Sequence, residues 1–171
     1  MVSIDKVSIC KLPGHEGSNP EFVGSYPEDS TIIDEPELIS KSMPDGVAPG
    51  TFRSNRIDNM IILAYTFAMK SEQEGVRDDL ASISVVVSDK KVNVDQIEIL
   101  FKEIMTTLDT SGELYKLRSA TLVQMMERIY NGVNKNEKIK ISTITVDVPR
   151  IIKQKKLNIL KRDLKEFQGA F

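Results

Sequence analysis

One cysteine, one histidine and no tryptophan in 171 residues leave little material for several kinds of chemistry. Cys10 stands alone, so the chain can form no internal disulfide and no cysteine zinc site. His15 is the only histidine, which excludes a His-rich metal site, a Cys–His dyad supplemented by a second His, and a Ser–His triad away from His15. Neither Gly-x-x-x-x-Gly-Lys-Ser/Thr nor Gly-x-Gly-x-x-Gly occurs, so the standard routes to nucleotide binding are closed. No stretch approaches the ~20 apolar residues that span a bilayer, and residues 1–6 hold no apolar leader core. The expected setting is cytoplasmic, at most peripheral to a membrane, with no cofactor and no metal.

The composition is that of a folded protein, 40% apolar and 28% charged. The length fits one domain with an extension. A net charge of -2 hides an asymmetry: residues 1–137 carry 14 Lys/Arg against 22 Asp/Glu, net -8, and residues 138–171 carry 9 against 3, net +6. The basic segment reads either as a solvated helix face or as a docking segment for an acidic partner or a membrane surface. Nucleic acid is not the expected partner, because four tyrosines, no tryptophan and an acidic body offer no stacking platform.

Six of the seven prolines fall before residue 50 and cut the N-terminal third into short pieces. Val7–Leu12 and Glu21–Tyr26 read as a hairpin across the turn-rich string 13–20. Asp34-Glu35-Pro36-Glu37 has the marks of a helix start, with Leu38-Ile39 as its buried side and Pro44-Asp45-Gly46 as its end. Thr51-Phe52-Arg53 is a short strand. Asn59–Met69 and Leu80–Val87 are near-continuous apolar runs, predicting adjacent strands buried on both faces. Val94, Ile97, Leu100, Phe101, Ile104 and Leu108 predict a helix, with Asn93 or Asp95 as its cap and a break at Asp109–Gly112. A second helix carries Leu114 to Val133, with Met125-Met126 as core filling. Ile139–Val148 alternates as a further strand or extended arm. After Pro149 comes a last helix with Leu157, Leu160, Leu164, Phe167 and Phe171 in a heptad-like seam.

The predicted fold is therefore α/β of the α+β kind: a central antiparallel sheet of about five strands with helices packed on it. Its order is β-β-α-β-β-β-α-α plus a C-terminal arm and helix. Residues 1–137 form the domain; residues 138–171 form the basic arm and amphipathic helix, expected to dock on it through the seam.

Tyr65-Thr66-Phe67, Lys70, Ser82-Ile83 and Asp89 stand at the same offsets as in folliculin-type proteins, and over residues 59–108 the chain resembles their longin domain. The resemblance leaves residues 138–171 uncovered. It implies a protein-interaction module of the roadblock/longin kind, as found in vesicle-trafficking and nutrient-signalling complexes. Implied partners are a small GTPase, another longin or roadblock-type protein, or a second copy in a homodimer. It also implies that Arg77, in the loop between the two central strands, could be a catalytic arginine finger acting on a GTPase in trans. The family reads Arg-Gly-aromatic-any-Arg there, whereas this chain reads Glu74-Gly75-Val76-Arg77-Asp78-Asp79. From the residues alone, a local ion pair of Arg77 with Asp78 or Asp79 is the competing assignment.

Other candidates resolve more simply. The adjacent acids Glu28-Asp29, Asp34-Glu35 and Asp78-Asp79 suit turns and caps better than acid–base chemistry, and His15 suits an exposed turn. The Leu157, Leu160, Leu164 and Phe167 seam is the candidate partner-binding surface. An enzyme with a pocket assembled from distant residues is the alternative that no local motif supports.

Overall fold

A computed structural model of the chain describes residues 3–28, 33–88 and 94–169. The chain opens with a hairpin, β1 (Lys6–Leu12) and β2 (Glu21–Tyr26), and the helix α1 (Glu35–Ser42) follows. Three strands come next, β3 (Phe52–Ile57), β4 (Met60–Met69) and β5 (Asp79–Ser88), and then the helices α2 (Val94–Thr110) and α3 (Ser119–Lys135). A small hairpin, β6 (Lys138–Ile141) and β7 (Ile144–Asp147), leads into a long helix, α4 (Val148–Gly169). Up to α3 this is the expected order β-β-α-β-β-β-α-α, an α+β fold. The large sheet runs β2-β1-β5-β4-β3, antiparallel throughout.

The continuous apolarity of β4 and β5 has the predicted cause. The two pair without interruption from Met60↔Ser88 to Met69↔Asp79 and are covered on both faces. Side chains alternate between those faces. One set, including Leu63, Phe67, Ile83 and Val85, packs against Leu100, Ile104 and Leu108 of α2 and Met125 and Ile129 of α3. Each such side chain contributes ~1.5–3 kcal/mol of burial free energy, so this layer holds the fold together. The opposite face is lined by small groups, Ser8, Cys10, Thr66, Ser82 and Ser84, all buried. There α1 contributes Leu38 to a separate small cluster with Ile57, Ile62 and Val86, and the hydroxyls of Ser42 and Ser84 share a hydrogen bond of 2.6 Å. Burial, reinforced by the charge of Glu35, pushes the Cys10 thiol up to about 12, so it stays protonated and inert at neutral pH.

Several boundaries differ from the sequence reading. β3 continues past Arg53 to Ile57 because β4 pairs with it along its whole length, from Phe52↔Tyr65 to Ile57↔Met60. As an edge strand it keeps polar side chains in water, and its sequence therefore lacks an apolar pattern. α2 runs on to Thr110 and stops at Gly112, whose φ of 79° is left-handed. α3 starts only at Ser119; Leu114 and Leu117 are buried from the connection instead. Gly132 lies inside α3 as a close-approach position, since a Cβ there would come within 2.2 Å of Ile139 on β6. The segment expected as one strand or arm over 139–148 is a hairpin turning at Ser142, where φ is 54°. Its apolar residues change parity there, from Ile139 and Ile141 to Ile144 and Val146.

Pro149 stands in the first turn of α4, where a missing N–H costs nothing. Among the described side chains of this helix, those packed on the domain lie at its start. Ile151 and Ile152 pack on the large core, but Leu160 and Leu164 are each 60% exposed. A 22-residue helix is ~33 Å long and outruns the apolar surface that α2 and β6 offer. The side chains of Leu157 and Phe167, together with Asp29, Asp89, Asn93 and Phe171, lie outside the described residues.

Candidate functional site

Three connections meet at one end of the sheet: the β1–β2 turn, the β4–β5 loop carrying Arg77, and the α2–α3 connection. Asp79, first residue of β5 and 5% exposed, ties the first two together. One of its carboxylate oxygens accepts a hydrogen bond from the Gly14 backbone N–H at 2.8 Å, and the other lies 3.3 Å from Lys11 Nζ. Gly14 allows the contact by having no side chain, because a Cβ would sit 2.0 Å from the Arg77 carbonyl oxygen. The turn beyond it is closed by Ser18, whose hydroxyl donates to the Pro13 carbonyl at 2.5 Å.

The α2–α3 connection braces the loop from the other side. The Tyr115 hydroxyl donates to an Asp78 carboxylate oxygen at 3.0 Å, and the Lys70 N–H donates to the Tyr115 carbonyl at 3.0 Å. The Asp78 hydrogen bond, with some desolvation and the Asp78 charge, holds the Tyr115 hydroxyl above the ordinary tyrosine range. At the loop tip Gly75 takes φ 75°, reversing the chain just before Arg77.

Asp78 and Asp79 are thus committed to Tyr115 and to Lys11 and Gly14. The local ion pair with Arg77 does not form; the carboxylates that follow it in sequence are turned to other elements. Arg77 is exposed, and no ion pair or hydrogen bond engages its guanidinium among the described residues. Beyond Tyr115 a shallow groove of about 700 Å³ carries Lys116, Arg118 and Arg128, with Glu113 at its edge. The arrangement is a loop tied at both ends, with the unpaired cation of Arg77 exposed on it. It can engage an anionic group on another molecule. His15, in the turn, is exposed and lies 3.4 Å from the Glu16 carbonyl, and among the described residues no ion pair engages it.

The expectations for Arg77 and for Leu160 and Leu164 concerned separate surfaces, and the structure keeps them separate: Arg77 at the loop end, the leucines on the projecting helix. Tyr115 and Gly14 escaped the sequence reading. A Pro-Gly turn and an isolated tyrosine carry no signal of contact with a loop 65 and 37 residues away.

No helix among the described residues is long and apolar enough to cross a membrane. No family model matches the chain. No curated protein matches it either. Among solved structures, the K. lactis Lst4 longin domain is similar, with a TM-score of 0.41 and 14% sequence identity over 72% of this chain and 95% of that one.

Proposed function

We propose that this longin-like domain is a protein-interaction module that binds a small GTPase through its loop end, with Arg77 as the principal contact to the partner's anionic surface. The observation that carries the reading is the free guanidinium of Arg77 on a loop pinned from both sides. Long exposed side chains lose rotamer freedom on binding, and a backbone already fixed lowers that cost. The resemblance of residues 59–108 to folliculin-type longin domains supplies the class of partner.

Catalytic stimulation is the narrower form of the same reading. A finger must place a guanidinium on the phosphoryl oxygens as charge develops, and Arg77 has the exposure for it and stands beside the tied end of its loop. The test is capture from native extract loaded with a non-hydrolysable GTP analogue, comparing the wild-type chain with Arg77→Glu. A small GTPase retained by the wild type and lost by the variant is expected. Capture of a GTPase equally by both, or of none by the wild type, overturns the proposal.

A further inference from the structure

α4 is anchored on one side of the molecule and complementary to a groove on the other. Its first turn is held by Ile151 and Ile152 on the side of the sheet that α2 and α3 cover. Leu160 and Leu164, one turn apart on one face, project into solvent, ~18 Å along the axis beyond Ile152 for Leu164. Lys156, Lys161 and Lys165 are exposed around them.

On the opposite side of the sheet, a groove of about 580 Å³ lies between β2 and α1. Phe22, Ile33 and Leu38 supply its apolar lining, and the exposed carboxylates Glu28, Asp34 and Glu35 stand along it. Lys6 is the one cation among its lining residues and is 5% exposed, set down on β1. The acids crowd one another: partial desolvation, a hydrogen bond with Asp34 and the charges of Asp34 and Asp58 push the neighbouring Glu37 carboxyl above its ordinary range. A groove with an apolar lining and an anionic border is the complement of a helix with two leucines among lysines.

We propose that the chain pairs with a second copy of itself by reciprocal exchange, the Leu160–Leu164 face of each α4 lying in the β2–α1 groove of the other copy. The sheet stands between a helix's anchor and its own groove, so the contact is made in trans. Because both halves of the contact are on one chain, a two-fold axis forms it twice. The charge division of the sequence, -8 for residues 1–137 and +6 for 138–171, favours this pairing. Two α4 helices laid seam to seam would instead bring Lys156 and Lys161 of both copies together. An anionic membrane would attract α4 but repel the acidic body. The pairing uses none of the residues at the Arg77 end and stands whether or not the GTPase reading does.

Sedimentation velocity of the full chain tests it. A dimer at tens of micromolar is expected, dissociating as salt is raised. Glu28→Lys and Lys161→Glu, both changes at exposed residues, should each weaken self-association at least about tenfold. An equimolar mixture of the two variants should recover dimer. Each mixed pair holds one native contact and one contact with both charges reversed. A wild-type chain that stays monomeric overturns the proposal, as does a dimer indifferent to both reversals. A monomer whose α4 binds phosphatidylserine vesicles would assign the helix to a membrane surface instead.

Discussion

Asp79 joins a salt bridge and a backbone hydrogen bond in one buried carboxylate, and the two can be separated by substitution. Asp79→Asn keeps an oxygen to accept from Gly14 but loses the charge opposite Lys11, whose side chain is only 15% exposed. Asp79→Ala loses both and leaves the part-buried Gly14 N–H and the Lys11 ammonium unpaired. Hydrogen bonds to charged groups contribute ~1.5–3 kcal/mol, so the alanine variant should lose about that much stability and the asparagine variant less. Urea denaturation of the two variants checks the order. The same pair separates bracing from contact: Asp79→Ala should also speed trypsin cleavage after Arg77, because the loop loses its tie to the β1–β2 turn. Equal stability of both variants with the wild type would show that the loop is held by something other than Asp79. None of this was readable from Asp78-Asp79 as adjacent acids. An acid pair after an arginine looks like its own salt bridge, and only the fold brings Lys11, Gly14 and Tyr115 close enough to compete.

Strands β4 and β5 were legible because burial on both faces leaves a run of apolar residues, a signal that survives without any partner in view. Ile62, fully buried against Val86 and Leu38, shows how strict that requirement is. Ile62→Asp would place an unpaired charge there, at a cost beyond the ~5–15 kcal/mol that holds most domains folded. The variant should therefore be insoluble or unfolded by circular dichroism, whereas Arg53→Asp on the exposed edge strand β3 should fold normally. A soluble Ile62→Asp chain with a cooperative melt would refute the placement of β4. β3 was only half legible for the same physical reason, since an edge strand is paired by backbone and needs no apolar side chains. In β6 and β7 the parity change that makes the turn at Ser142 was present in the sequence, but a run of alternating residues with one slip reads as a single arm. The start of α4 followed from Pro149. The exposure of Leu160 and Leu164 did not follow, because a heptad-like seam looks the same whether its cover is the same chain or another.

As a whole the molecule presents two unlike ends to its surroundings. The loop end is fixed by contacts among three connections and carries Arg77; the far reach of α4 carries leucines and lysines with no cover on its own chain among the described residues. The two proposed associations use different surfaces and make different demands on a measurement. The most direct one is hydrogen exchange on the chain alone and in the complex recovered with a GTP-loaded GTPase. Amides of residues 14–17 and 70–78 are expected to slow by more than about tenfold in the complex, because the partner covers the loops around Arg77. Slowing confined to β3 or to α4, with 70–78 exchanging as fast as in the free chain, would contradict it.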